Sequence, residues 1–331
     1  MPKADQLKTL IESFAASDDA RFYRTALQLA ADEARRGHGK LAQELRDTVD
    51  AARARGAILP TAKRPIPIAQ PRGDLGDLVI ASYPDLLLSD MILSEDLSRA
   101  LKRVLDENRS LEKLRSFSLR PRRKLLLVGP PGTGKTMSAR AIAGELGVPL
   151  YLVRFESVIT KYMGETAAKL KLVFDAMRNT RGVFLFDEFD AIGGQRATQN
   201  DTGEIRRILN SFLQFIEADD SDSLLIAATN HGTLLDRALI RRFDDVLSFT
   251  LPNRAALIAT LKRVLGFLPA PCVNWEQVAG AAEGLSYAET VRAAEDAAKD
   301  AVLGGQASLS ADELLKAVGE RKRAHDSVSI E

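Results

Sequence analysis

What the sequence lacks narrows the classes open to it. A single cysteine, Cys272, leaves no intramolecular disulfide, and three scattered histidines (His38, His231, His325) lack the close spacing that metal sites use. That pattern fits a reducing, cytoplasmic setting. No apolar run approaches the roughly 20 residues needed to cross a bilayer. The opening residues MPKADQLK carry no apolar stretch of the kind a secretory signal has, so no membrane role is expected without a partner. An excess of one charge is also missing, since 46 Lys and Arg face 45 Asp and Glu. Without an overall positive field, nucleic acid is an unlikely default partner on electrostatic grounds. There is no H-E-x-x-H, and the histidines are too dispersed for a zinc or Ser-His-Asp protease site, which excludes a self-contained protease.

What is present suits two or three domains, because 45% hydrophobic residues in 331 can bury a substantial core. Leu7, Leu10, Ile11 and Phe14 fall at helical spacing, as do Phe22, Ala26, Leu29 and Ala30. Gly37 and Gly39 interrupt this pattern, and Leu41, Leu45 and Val49 resume it. Residues 1–55 therefore read as a small helical module. Residues 56–73 (GAILPTAKRPIPIAQPRG) follow as a connector, their prolines favouring an extended, semi-rigid chain.

Beyond the connector, apolar runs alternate with helical stretches. The runs are Lys124–Gly129, Pro149–Arg154, Val183–Phe186, Leu224–Ala228 and Val246–Phe249; the helical stretches include Thr136–Leu146 and Thr166–Met177. Such alternation predicts a parallel sheet covered on both faces. After Pro252 only helical stretches remain, over Arg254–Leu265, Trp275–Ala282, Tyr287–Leu303 and Ala311–Val318. The expectation is an α/β fold over 74–252, a helical lid over 253–331, and the small helical module in front.

The run LLLV is followed by Gly129, Pro130, Pro131, Gly132, Thr133, Gly134, Lys135 and Thr136, then Met137 in the helix they open. This fits the phosphate-binding loop G-x-x-x-x-G-K-[ST] in its strand-to-helix context, and marks the sheet as of P-loop NTPase type. Glycines let backbone N–H groups converge on phosphates, Lys135 reaches the terminal phosphates, and the Thr136 hydroxyl is available to Mg²⁺. Val183–Phe186 ends in Asp187 and Glu188, at the sheet edge that faces the ligand crevice. Asp187 is placed to hold Mg²⁺ through water, and Glu188 to orient and polarise the attacking water. Asn230 closes LLIAATN, where its amide could bond that water or the γ-phosphate, although Asn is also an ordinary turn residue.

GPPGTGKT, FLFDEFDAI, ATN and LDRALIRRFD occur here in the order they have in the AAA ATPase family, which the chain resembles from about Leu75 to Val318. The resemblance makes them Walker A, Walker B, sensor 1 and arginine-finger elements, with Arg241 and Arg242 as the fingers. A guanidinium supplied by a neighbouring subunit stabilises charge spreading over the γ-oxygens. Such a contact is head-to-tail and closes into a ring, a hexamer by the same resemblance. Ser286 and Tyr287, in GLSYAET, match the start of the lid helix near the adenosine, without a sensor-2 arginine. Asp90 and Ile92, in SDMIL, match in position the loop that covers adenine. ATP and Mg²⁺ are the implied substrate and cofactor.

Lys161, Tyr162, Met163 and Gly164 match the family's first pore loop, and Ala197–Gly203 the polar second one. Aromatic and thioether groups grip almost any side chain by dispersion, so the expected cargo is polypeptide. The alternative is a nucleotide-switched scaffold or DNA-linked assembly ATPase. Its only support is the basic run Arg120-Pro121-Arg122-Arg123-Lys124. The order of module, connector and motor resembles small bacterial AAA proteins that work beside a subtilisin-like serine protease in defence or plasmid exclusion. The ending Ser329-Ile330-Glu331 lacks the tail with which some rings dock on the proteasome.

Overall fold

The computed structural model of the chain describes residues 73–158, 165–190, 202–232, 237–271, 273–306 and 308–328, together with residues 43, 71 and 235. The chain divides into two compact units, Met1–Arg64 and Pro65–Glu331, and apart from residue 43 the described residues fall in the second. The helical module expected over 1–55 and most of the connector lie outside the described residues, as do Lys161, Tyr162, Met163 and Gly164.

The order of elements is α1 (Asp74–Leu78), β1 (Val79–Ser82), a 3-10 turn (Leu88–Asp90), α2 (Glu95–Arg109), α3 (Leu111–Ser116), β2 (Lys124–Val128), α4 (Lys135–Leu146), β3 (Leu150–Val153), α5 (Phe155–Val158), α6 (Glu165–Asn179) and β4 (Val183–Phe186). It continues with α7 (Thr202–Ala218), β5 (Leu224–Thr229), α8 (Arg237–Ile240), β6 (Asp245–Ser248), α9 (Arg254–Val264), α10 (Trp275–Ala282), α11 (Tyr287–Leu303) and α12 (Ala311–Val328).

The six strands form one sheet in the order β1-β3-β4-β5-β2-β6. Every residue of β4 and β5 is buried, the mark of strands covered on both faces, and the continuous runs VFLF and LLIAAT carry that in sequence. One face packs Phe184, Phe186, Phe189 and Phe212 with α6 and α7. The other packs Leu125, Leu127, Leu185 and Ile226 against α2 and α4. Five strands are parallel, as the alternation predicts, and the sixth departs from it. β1 runs antiparallel along β3, with Val79 opposite Val153, and the apolar-run pattern gave no sign of so short an edge strand.

The lid is a separate helical layer with its own core. Ala293, Ala294, Ala297, Ala298 and Ala301 of α11 are buried against Leu257, Leu261, Val278 and Leu314, small side chains letting the helices approach closely. Its helices start on side-chain caps: Asn253 accepts from Ala256 N, Asn274 from Gln277 N, and Ser286 forms a capping box with Glu289. α12 runs ten residues beyond the expected end at Val318. That extension is polar, so no apolar stripe announces it; Arg321 pairs with Asp296 at 2.8 Å and Lys322 Nζ donates to Ala281 O.

Candidate active site

The phosphate-binding loop runs from the end of β2 into α4. Gly129 passes so close to the edge strand's continuation that a Cβ on it would lie 2.1 Å from Phe249 O. Gly132 sits at φ +73°, and a Cβ there would lie 2.5 Å from Ser286 Oγ. Gly132 is thus required both by its backbone conformation and by the lid residue pressed against it. Ala288 N donates to Gly132 O at 3.1 Å, tying the first turn of α11 to the loop.

At the carboxyl ends of β2, β4 and β5 four predicted residues meet in two pairs. Lys135 Nζ donates to Asn230 Oδ1 at 2.8 Å and to the carbonyls of Gly129 and Pro130 at 2.7 and 2.8 Å. Burial lowers the Lys135 pKa, and the carboxylates of Asp187 and Asp190 oppose that shift. Thr136 Oγ1 donates to Asp187 Oδ2 at 2.6 Å. A hydroxyl and a carboxylate oxygen converging at one point are a donor set that suits Mg²⁺, a hard cation that prefers oxygen ligands.

Glu188 follows Asp187 in the left-handed region at φ +52°, a conformation costing a non-glycine residue about 1–3 kcal/mol. The neighbours hold it there. Glu188 N donates to Asp187 Oδ1 at 3.0 Å, and Phe189, fully buried, donates its N–H to Ala228 O at 2.8 Å. The Glu188 side chain is exposed. Asp190 Oδ1 accepts from Thr229 Oγ1 at 3.1 Å and so joins the strand ends that carry Asp187 and Asn230.

Of the two residues expected over adenine, Asp90 caps the 3-10 turn by accepting from Leu87 N, and lies 3.4 Å from Arg263 of the lid. Ile92 is half-buried. The residue between them, Met91, is the one that touches the phosphate loop region: Ser138 Oγ lies 3.9 Å from its sulfur, and its terminal methyl lies 3.4 Å from where a Gly134 Cβ would be. Sequence reasoning missed Met91, and a lone methionine in a loop carries no spacing that would find it. It also missed Arg263, whose Nη1 donates to Ser89 O at 3.0 Å.

Ser286 is buried beside Gly132, and Tyr287 is half-buried, its pKa raised by burial. Met137 is 40% exposed. Arg241 and Arg242 lie together in the turn after α8: Arg241 is exposed, and Arg242 is tied to Glu217.

The basic run before β2 is largely consumed by pairing. Arg122 lies near Glu107 and Asp245 at 3.3 and 3.5 Å, Arg123 lies 3.6 Å from Asp219, and Lys124 Nζ donates to Ile216 O and Asp219 O. Burial lowers the Lys124 pKa.

A parallel sheet with a phosphate loop after β2 at its carboxyl edge, an acid pair at the end of β4 one strand removed, and a helical lid against the loop defines a P-loop nucleotide-binding protein. Residues 125–251 match the model of the ATPase family associated with various cellular activities (AAA). An uncharacterized AAA family ATPase, y4kL, from Sinorhizobium fredii is 33% identical over 327 residues, covering 98% of this chain and 96% of the relative. The chain therefore belongs to the AAA ATPase family. ATP-dependent zinc metalloprotease FtsH 3 of Sphaerobacter thermophilus is 33% identical over 255 residues, 75% of this chain and 52% of that protein. The FtsH of Acidothermus cellulolyticus is 34% identical over 242 residues, 70% of this chain and 36% of that one. The similarity thus spans about half of the first protease and about a third of the second. Among the described residues no helix is long and apolar enough to cross a membrane.

Proposed function

We propose that this ATPase is a motor that works as a homo-oligomeric ring, a hexamer, and that it threads, unfolds or disassembles protein substrates in the cytoplasm. The observation that carries the catalytic part is the convergence of Lys135 on Asn230 and of Thr136 on Asp187 at one sheet edge. In this reading Lys135 and the N–H groups of residues 129–137 bind the phosphates of ATP, and Thr136 and Asp187 hold Mg²⁺, Asp187 through water. When bound, that ion offsets charge on the phosphates. Glu188 takes a proton from the attacking water, and the Asn230 amide orients it. Asp90, Ile92, Ser286 and Tyr287 flank the nucleoside. Arg241 and Arg242 serve the site of the next subunit, which makes hydrolysis depend on assembly.

Polypeptide as cargo rests on Lys161, Tyr162, Met163 and Gly164 as a pore loop, and is supported by the similarity to proteases described as ATP-dependent. H-E-x-x-H is not found in this sequence, so degradation would fall to a separate partner, for which a subtilisin-like serine protease is the candidate. Residues 1–55 then serve as a recognition module on the 56–73 connector, ahead of the motor (74–252) and lid (253–331). The DNA-linked alternative loses most of its footing, because Arg122, Arg123 and Lys124 are engaged within the fold.

The test is a substrate trap. Glu188→Gln should bind ATP, hydrolyse it at least about 100-fold more slowly and retain a protein client in a pull-down. A companion Tyr162→Ala should hydrolyse ATP normally and fail to remodel that client. A trap that retains no protein, or a Tyr162→Ala chain that still remodels, contradicts the threading proposal.

A further inference from the structure

The geometry points to a peptide-docking site at the amino edge of the sheet: a cavity walled by arginine that takes a partner's carboxylate flanked by large apolar side chains. The cavity holds about 380 Å³ and lies between the segment joining α3 to β2 and the segment joining α7 to β5. That volume is at the lower end of the range for ligand pockets. The five residues of β2 separate it from the phosphate loop, roughly 15 Å at the usual rise of a strand. Docking there is therefore distinct from ATP binding and from the proposed pore.

The basic run before β2 supplies the charge. Arg123 is only 8% exposed, yet it lines the cavity, and its Nη1 makes no hydrogen bond among the described residues. The acid paired with it, Asp219, holds its Oδ2 at 3.6 Å, and that oxygen is equally without a hydrogen bond. A buried guanidinium N–H left without a partner is costly, and a carboxylate is the group whose shape answers it. Arg120 lines the same cavity, is exposed, and has no ion-pair partner among the described residues. The acids of the wall are matched already: Asp222 pairs with Arg115, and Asp220 lies 3.8 Å from Arg178. The unmatched charge is thus positive. With two acids fixed in the wall, a singly charged carboxylate is favoured over a doubly charged phosphate.

The apolar flank is an ordered loop. Ser118 N donates to Arg115 O and Leu119 N to Leu114 O, both at 2.9 Å, the two bonds of a Schellman cap on α3. Ser118 takes the left-handed position of that cap at φ +57°, where glycine is usual. The cap holds Leu119, on the cavity wall, at 56% exposure, and Phe117, two residues before it, at 71%. A carboxylate seated between Arg120 and Arg123 leaves the residues on either side of it to cover these two side chains. That apolar rim outside the cavity is why the occupant is a peptide segment and not a free small acid.

The experiment titrates the full chain against a set of fluorescein-labelled hexapeptides, each with one central Glu between large apolar residues, and reads anisotropy. The tightest of them should lose about tenfold or more in affinity when its Glu is replaced by Gln, as a charge-assisted hydrogen bond implies. Arg120→Ala should cause a loss of the same order, and Arg120→Lys should recover only part, lacking the two-point fork. Leu119→Ser should weaken binding about fivefold or more. Both positions are exposed, so the urea midpoint and ATPase rate of these variants should match wild type. Saturating ATP should leave peptide binding unchanged, as should Tyr162→Ala. The proposal is overturned if no peptide of the set binds, if Gln peptides bind as tightly, or if Arg120→Ala binds normally. Loss of binding in Tyr162→Ala would assign the peptides to the pore. Displacement by hexanoate at the peptide's own concentration would make a free acid the ligand, and displacement by a DNA duplex would make it nucleic acid; each of these results also contradicts the proposal.

Discussion

Lys135 Nζ and Asn230 Oδ1 lie 2.8 Å apart, joining the first residue of α4 to the end of β5 across the sheet's carboxyl edge. The lysine is partly desolvated there, which lowers its pKa against the pull of Asp187 and Asp190. Its ammonium is placed to exchange these neutral oxygens for charged phosphate oxygens, a stronger class of hydrogen bond.

Removing either partner should separate binding from turnover. Lys135→Ala loses a charge-assisted bond of roughly 1.5–3 kcal/mol, so ATP affinity should fall by about tenfold or more, and hydrolysis should disappear. Asn230→Ala should bind ATP nearly as well but turn over about 100-fold more slowly, in the range for a lost preorganised polar group. Fluorescent-nucleotide titration alongside steady-state ATPase assays checks both. An Asn230→Ala chain with normal kcat would remove Asn230 from the catalytic set.

The contact between phosphate loop and lid gives a stability prediction. Ser286 caps α11 and closes its capping box with Glu289 at 2.8 Å. Ser286→Ala should therefore cost about 1 kcal/mol, read as a lower denaturant midpoint. Gly132→Ala meets Ser286 Oγ at 2.5 Å and imposes a Cβ at φ +73°. It should weaken nucleotide binding more than Ser286→Ala does, because it displaces the loop itself.

Tyr151 gives a pH dependence. It is buried at 4% exposure, stacked on Phe184 with centroids 4.6 Å apart. Burial, with a smaller contribution from Tyr83, pushes its pKa up from 10.0 to about 12. Between those values the unfolded chain has released a proton that the folded chain keeps, so stability falls as pH rises. The loss approaches about 2–3 kcal/mol across the window. Urea unfolding from pH 9 to 11 should show wild type losing stability faster than Tyr151→Phe. Parallel curves would contradict this.

Much of this was legible in sequence, for reasons that differ by element. β4 and β5 announce themselves because strands buried on both faces must be apolar throughout, and the phosphate loop because its glycines and Lys135 have fixed spacing. β1 escaped because four residues on a half-exposed edge carry too little pattern, and the end of α12 because its last turns bury no stripe. The pairing of Arg242 rather than Arg241 is not written in two identical neighbouring letters. It arises from Glu217, which reads in sequence as one more acid on a solvated helix end and becomes specific only when α7 and the turn after α8 meet. Met91 is similar: its place against Gly134 and Ser138 follows from the fold of the 88–93 segment, not from any local signal.

The central claim is an ATP site completed by the next copy of the chain. ATPase activity per chain, measured against protein concentration with mass determined in parallel, tests it most directly. Activity should fall towards zero as assemblies dissociate and return on concentration. Constant activity per chain down to a proven monomer would contradict it.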